Sequence, residues 1–314
     1  MIITVTLNPC FDRTLEVPGF QVGQHARARL LALVPAGKGV NVAKGVAKLG
    51  GEVGACILIG HGEAQAFRDS FAGQGVECAA CEVAGVTRTN TTVLDPAGHT
   101  TTHLREHGFT VSPRELAALR GTLLDLVGAH RTRCEEVTLV FAGSLPPGLG
   151  PADFAALLAD SCRCGARLVV DTSGEALCAA VRAGCLDTIK PNLLELGQCL
   201  GRDLDARDGP DGASDLLDRV GRVLLTLGEG GAWVIENDLC IGMKCPLPAA
   251  EQRNSVGAGD AFLAGWLYGW SRFGEQTTAL RWAVAAGVAC LRSETTVDYR
   301  VEEVRAMLER CEPI

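Results

Sequence analysis

The run Asn254-Ser-Val-Gly-Ala-Gly-Asp-Ala-Phe262 gathers residue types that could handle a phosphate and a proton. Gly257, Ala258 and Gly259 leave their backbone N–H groups unobstructed, and the apolar run Ala261 to Trp270 behind them reads as a helix. Bare amides at a helix N-terminus attract anions, because they carry partial positive charge and have no intrahelical acceptor. Asp260 is out of place there, since its carboxylate repels a phosphate unless it has a chemical task; general base catalysis is the task that suits it. Taken alone, Gly-Ala-Gly-Asp is equally a turn with a capping aspartate.

Two further clusters could work with it. Ala36-Gly-Lys-Gly-Val-Asn41 follows a strand-like run and opens a helix, offering the Gly37 amide, the Lys38 ammonium and the Asn41 carboxamide in one place. That set suits a polyhydroxy ligand, and Asp12 adds an acceptor for paired sugar hydroxyls. A helix start with Lys38 solvated is the plainer alternative. Lys190-Pro-Asn192-Leu-Leu-Glu195 ends a strand and begins a helix, placing Asn192 and Glu195 on one face. The pair suits a hydrated Mg²⁺, which takes few carboxylates and fills its shell with water and phosphate oxygens, or a plain helix cap. There is no Gly-x-x-x-x-Gly-Lys-Ser/Thr loop, and Gly228-Glu-Gly-Gly231 lacks dinucleotide spacing. Gly257 to Gly259 is therefore the best phosphate candidate.

Short apolar runs at Ile2 to Leu7, Val53 to Ile59, Val137 to Ala142, Leu168 to Asp171, Thr188 to Lys190 and Arg222 to Leu227 are mostly followed by helical patterns. Gly39 to Leu49 and Glu175 to Val181 read as helices, and Ser112-Pro-Arg-Glu115 is a capping box before a leucine-rich one. The alternation predicts an α/β fold, with a mostly parallel sheet between two helical layers. Two pairs of alternating runs break the rhythm: Asp12 to Val17 with Arg27 to Val34, and Thr89 to Asp95 with Thr100 to Arg105. They read as hairpins of a small β layer, inserted at roughly 10–34 and 88–107 of a single domain. Ligands in such sheets bind at the carboxyl ends of the strands. The segments that should converge are 8–12, 143–144, 171–174, 190–195 and 226–231.

With 314 residues, 47% hydrophobic and 21% charged, the chain has ample material for a core. A net charge of −8 argues against nucleic acid as a partner, which needs a basic field. No apolar run reaches the roughly 18 residues of a membrane span, and Met1 to Pro9 lacks the pattern of a leader, so the expected location is the cytoplasm. The fourteen cysteines are scattered. Most are expected to be small buried thiols, and Cys78-Ala-Ala-Cys81 and Cys162-Arg-Cys164 lack a second ligand pair at zinc spacing. His99, His103 and His107 lie among threonines on a strand, as wall or surface residues.

Ala36 to Lys48 and Asn254 to Phe262, together with Lys190 to Glu195 and Thr226 to Ala232, resemble the signatures of the ribokinase-like, PfkB-type carbohydrate kinases over essentially the whole chain. Thr6-Leu-Asn-Pro9, Asp12-Arg-Thr14, Thr87-Arg-Thr-Asn90 and Gly143-Ser-Leu-Pro-Pro-Gly148 resemble the hexose-phosphate branch, which includes 1-phosphofructokinase and tagatose-6-phosphate kinase. The resemblance implies ATP and Mg²⁺ as cofactors and a phosphosugar acceptor, fructose 1-phosphate before tagatose 6-phosphate or fructose 6-phosphate. It implies Asp260 as base and Gly257, Ala258 and Gly259 as an anion hole. Lys190, Asn192, Thr226, Gly228, Gly231, Asn254 and Ser255 fall on the nucleotide side, and Glu195 holds Mg²⁺ through water. Asp12, Gly37, Lys38, Asn41 and Ser144 fall on the sugar, and Arg88, with Arg105 as a second ligand, on its phosphate. A homodimer through the β layer is implied as well. Ala36 replaces the usual first glycine, and His103 to Gly108 lacks the usual proline; both bear on which phosphosugar is taken. A kinase of an unphosphorylated sugar or nucleoside would leave Arg88 without a role, and a silent ligand-binding relative would leave Asp260 without one.

Overall fold

A computed structural model describes residues 1–132, 136–253, 256–293 and 297–314. In chain order the first elements are β1 (Ile2–Thr6), β2 (Cys10–Glu16), β3 (Arg29–Ala36), α1 (Lys38–Lys48), β4 (Val53–Gly60), α2 (Ala64–Ser70), β5 (Glu77–Val83), β6 (Arg88–Asp95) and β7 (Thr100–Arg105). Next come α3 (Pro113–Arg131), β8 (Thr138–Ala142), α4 (Pro151–Arg163), β9 (Arg167–Asp171), α5 (Gly174–Ala183), β10 (Leu186–Ile189), α6 (Leu193–Leu200) and α7 (Gly209–Ser214). The remainder is β11 (Val220–Thr226), β12 (Ala232–Glu236), β13 (Leu239–Lys244), α8 (Ala258–Phe273), α9 (Gln276–Leu291), α10 (Val301–Leu308) and β14 (Glu312–Pro313).

The large sheet runs β14-β13-β12-β11-β10-β9-β8-β1-β4-β5. From β11 to β5 every pairing is parallel. Parallel strands need both faces covered, and the buried residues form two clusters, one per face. Ile2 belongs to one and its neighbour Ile3 to the other. α1, α8 and α9 supply the first cluster, and α3, α4 and α5 the second. The predicted cap of α3 is present: the Ser112 N–H donates to Glu115 Oε2 at 2.8 Å, and the Glu115 N–H donates to Ser112 Oγ at 3.3 Å. Among the described residues no helix is long and apolar enough to cross a membrane.

Two parts of the sheet depart from the sequence-based expectation. β12, β13 and β14 add an antiparallel edge beyond β11. Its signal was Asn237-Asp238, a two-residue turn between apolar runs. β5 contains Cys78 and Cys81, whose side chains pack against opposite core clusters. Residues three apart on a strand point to opposite faces, so this pair cannot converge on one metal.

The second sheet has the order β3-β2-β6-β7. Each hairpin is antiparallel, and the two are joined by a parallel β2–β6 pairing that sets Cys10 opposite Arg88. Ala36 ends β3, buried and paired with Cys10, so its extra methyl sits in the base of this layer.

Candidate active site

The segments expected to converge do so at the carboxyl ends of β1, β8, β9, β10 and β11, beside the starts of α1, α5, α6 and α8. α8 is capped by Gly257 at φ 86° and ψ −3°, a left-handed conformation natural to glycine. The turn sets Asp260 in the first helical turn, only 6% exposed. Asn41 of α1 donates from Nδ2 to Asp260 Oδ2 at 2.8 Å. Burial, with help from the nearby Asp171 carboxylate, pushes Asp260 up to about 6, against the opposing pull of Lys38, the Asn41 bond and Lys190. A carboxylate with that pKa is mostly ionised at neutral pH yet still a competent proton acceptor.

Asp171, at the end of β9, is the hub of the charges. It is 1% exposed, and its Oδ1 takes Lys38 Nζ at 3.1 Å and Lys190 Nζ at 3.3 Å, while Oδ2 is buried without a partner. Burial works against the Lys38 ammonium, but Asp171, Asp260 and Glu195 outweigh it and hold its pKa above the ordinary lysine value. A Cβ built on Gly259 would lie 3.5 Å from Lys190 Nζ, so that ammonium rests against the start of α8. Two ammoniums and a set of open amides thus face the same space as Asp260.

Gly37 explains how α1 delivers Lys38 and Asn41. Its φ is 140°, and a Cβ there would meet Thr6 Cγ2 at 2.9 Å and Pro9 Cα at 3.2 Å. The backbone at the start of α1 therefore lies directly on β1 and the turn after it, an approach that a side chain at Gly37 would block.

At the start of α6, Asn192 and Glu195 form a reciprocal cap, with Glu195 N–H to Asn192 Oδ1 and Asn192 N–H to Glu195 Oε2 both at 2.9 Å. Thr226 lies beside Asn192 through an isolated parallel bridge. Around Gly228, at φ 59°, a Cβ would meet nothing within 4 Å. Gly231 is different: a Cβ there would meet Lys244 Cβ at 2.8 Å, so this glycine serves contact with β13. Asn254 and Ser255 lie outside the described residues. Among the described residues no group of three or more His, Cys, Asp or Glu is arranged to hold a metal. The donors present, chiefly Glu195, fit Mg²⁺ only as a hydrated ion that draws its other ligands from phosphate.

Next to this centre is a cavity of about 520 Å³ lined by Asn8, Arg88, Arg105, His107, Ser144 and Thr172, among others. Asp260, Lys38 and Asn41 are not in its wall; Thr172, which follows Asp171, connects the two spaces. Arg88 is heavily committed, donating to the carbonyls of Pro9 at 3.2 Å, Asn8 at 2.9 Å and Glu106 at 3.4 Å. Arg105 makes no side-chain hydrogen bond or ion pair among the described residues. Its neighbour Glu106 also lines the cavity, with Oε2 accepting from the Thr89 N–H at 2.8 Å. The emphasis placed on Arg88 by the sequence thus shifts: Arg88 is a strut of the wall and Arg105 the available charge. Asp12 lies at the base of β2, accepting from Cys10 Sγ at 3.3 Å and Asn90 Nδ2 at 3.4 Å.

Three residues of the site had no assigned role in the sequence. Asn8 donates from Nδ2 to Ser144 Oγ at 3.2 Å, tying two pocket loops together. Asp171 and Thr172 were visible only as the polar end of a strand, a position that marks a site without saying what the side chains do.

A parallel α/β sheet with an amide-rich helix start, a buried carboxylate and two ammoniums at its strand ends defines a kinase-like phosphotransferase. The sequence matches the pfkB family carbohydrate kinase profile over residues 5–301, and the chain belongs to that family. It is 37% identical over 269 residues to a 1-phosphofructokinase of Rhodobacter capsulatus, covering 85% of this chain and 83% of that protein. It is 29% identical over 300 residues to the ATP-dependent 6-phosphofructokinase isozyme 2 of Escherichia coli, covering 94% of each. The crystal structure of phosphofructokinase-2 from Escherichia coli in complex with fructose-6-phosphate superposes with a TM-score of 0.87, at 26% identity and 98% coverage of both chains.

Proposed function

We propose that the protein transfers the γ-phosphoryl group of ATP to fructose 1-phosphate, giving fructose 1,6-bisphosphate. The observation that carries this reading is the cavity holding Arg88 and Arg105 next to the Asp260 centre. A plain sugar has no phosphate for the available Arg105 guanidinium to neutralise, whereas a phosphosugar does. Relatives named 1-phosphofructokinase from Rhodobacter capsulatus and Xanthomonas campestris, at 37% and 34% identity, favour the 1-phosphate. Fructose 6-phosphate is the second reading, favoured by the 6-phosphofructokinase isozyme 2 that aligns over 94% of the chain.

Asp260 accepts the proton of the sugar hydroxyl as its oxygen attacks phosphorus. The amides of Gly257, Ala258 and Gly259, with Lys190 against them, receive the charge that develops on the transferred group. Phosphoryl transfer needs alignment and charge stabilisation more than covalent help, so these parts suffice. Lys38, Asn41 and Asp12 orient the sugar, Ser144 and Arg105 take its phosphate, and Arg88 supports the wall they share. Thr226, Gly228 and the Asn192–Glu195 cap lie along the nucleotide, and Mg²⁺ near Glu195 supplies charge neutralisation on its phosphates when bound. The four-stranded sheet serves as a lid and as the face through which two copies pair, in the cytoplasm.

The test is a panel of hexose phosphates and free sugars with ATP and Mg²⁺, read by coupled ADP release. Fructose 1-phosphate is expected to give the highest kcat/KM. Faster turnover of free fructose or ribose than of any hexose phosphate would sink the phosphosugar assignment.

A further inference from the structure

Two thiols that the kinase chemistry does not use lie against each other behind the site. Cys178 of α5 and Cys199 of α6 have their sulfurs 2.9 Å apart, although 21 positions separate them in the chain. Both are free thiols; Cys178 is buried and Cys199 partly exposed, so a small reagent in solution meets Cys199 first. Other thiols approach one another, Cys56 with Cys81, Cys162 with Cys185 and Cys245 with Cys311. Neither member of those pairs sits on α5 or α6.

These two helices are the ones whose starts carry the two halves of the site. Thr172 and Ser173, at the entry to α5, and Ala176 within it line the phosphosugar cavity. Asn192 and Glu195 cap α6 on the nucleotide side. A covalent link between the helices would therefore fix one half of the site against the other. From 2.9 Å the sulfurs must close to roughly 2.0 Å, the length of a disulfide bond. Displacements approaching 1 Å between bound reactants lower turnover by up to about 100-fold.

We propose that Cys178 and Cys199 form a reversible dithiol–disulfide site that takes low-molecular-weight disulfides of the glutathione type and lowers kinase turnover when oxidised. The Cys199 thiolate attacks one sulfur of the small disulfide, forming a mixed disulfide and releasing one small thiolate. Cys178, as thiolate, then attacks the Cys199 sulfur, forming the internal disulfide and releasing the second. The two protons lost by the cysteines end on the two small thiols, and the two electrons reduce the small disulfide. Burial and the Cys178 contact hold the Cys199 pKa above the ordinary thiol value, against the pull of Arg182. Exchange is correspondingly slow, and the device responds to a sustained oxidising poise.

The experiment incubates the full-length protein with glutathione disulfide for hours, then alkylates it and maps the peptides. Cleavage at Arg182, Asp187 and Glu195 puts Cys178, Cys185 and Cys199 on separate peptides. A Cys178–Cys199 cross-link is expected, together with at least a threefold loss of kcat that dithiothreitol restores. Cys199→Ser is expected to keep the activity of the reduced protein and to be insensitive to the treatment. Thermal melting before and after oxidation gives a readout independent of activity: the midpoint should rise in the wild type and not in Cys199→Ser. Glutathione retained on Cys199 without the cross-link, or equal loss of activity in Cys199→Ser, overturns the proposal. A cross-link that leaves kcat unchanged overturns its regulatory part.

Discussion

At the scale of single residues, Asp260 couples activity to stability. Asp260→Asn is expected to lower kcat by roughly 100- to 10,000-fold while leaving ATP binding in place, measured by turnover and by nucleotide titration. In the wild type, kcat/KM should rise with pH through about 6 and then level, as the buried carboxylate ionises. The same pKa has a cost in stability. The folded protein holds the Asp260 proton up to about 6, whereas the ordinary value is 3.8, so stability is full below that value and falls as pH rises through about 6. Two pKa units correspond to roughly 3 kcal/mol. Asp260→Asn should therefore melt higher than the wild type at pH 7.5 and converge with it near pH 4. An unchanged melting point at pH 7.5 would mean that the carboxylate is not strained by burial. The two arginines should separate as well. Arg105→Ala loses a charge-assisted contact worth about 2 kcal/mol, roughly 30-fold in phosphosugar KM, with little change in melting temperature. Arg88→Ala should raise KM and also destabilise the fold, because it removes the donors to Asn8, Pro9 and Glu106. Loss of affinity in Arg88→Ala alone would return the phosphate contact to Arg88.

At the scale of elements, Asn192 and Glu195 pose the sharpest question, because their cap geometry needs no ligand to explain it. Gln at the third helical position also completes a capping box, so Glu195→Gln removes the charge and largely keeps the helix start. If the carboxylate organises Mg²⁺, the concentration of Mg²⁺ needed for half-maximal turnover should rise several-fold at unchanged melting temperature. An identical Mg²⁺ dependence would confine Glu195 to capping. This case also shows what the sequence made legible. Elements with a strong local cause were readable: the apolar runs of β1, β4, β8 and β9, the capping box of α3 and the threonine-rich hairpin β6–β7. The convergence of loops at the strand ends followed from the sheet topology alone. The pairing of Lys38 and Lys190 on Asp171 was not readable, because it joins residues 133 and 19 positions apart through tertiary packing. The commitment of Arg88 to main-chain carbonyls was hidden for the same reason, since nothing local distinguishes a strut from a free charge. The antiparallel edge is hard to read from the sequence because short strands with a polar two-residue turn give a weak periodic signal.

For the whole molecule, the four-stranded sheet presents a group of exposed apolar side chains on its edges. Leu30, Leu33 and Val34 on its edge strand β3 are 57%, 52% and 48% exposed, and Leu104 on the opposite edge, β7, is 56% exposed. Isolated exposed leucines are ordinary, but several on one small sheet mark a surface that gains by being covered. An open edge strand also invites pairing with another copy. The proposed homodimer therefore predicts a species of twice the monomer mass by sedimentation velocity at micromolar concentration. Leu30→Glu with Leu33→Glu, two positions that the bulge at Leu31 brings to one face of β3, should shift it to monomer. Because Arg88 and Arg105 of the same sheet line the cavity proposed for the phosphosugar, this variant should also raise the phosphosugar KM while sparing that for ATP. Salt supplies a further discrimination. Each copy carries a net charge of −8, so the copies repel one another at low ionic strength. An apolar interface under that repulsion tightens as salt screens the charge, whereas an interface held by ion pairs loosens. The dissociation constant should fall between low and moderate salt. A wild type that sediments as a monomer, or a dimer that dissociates as salt is added, would move the pairing surface away from these leucines.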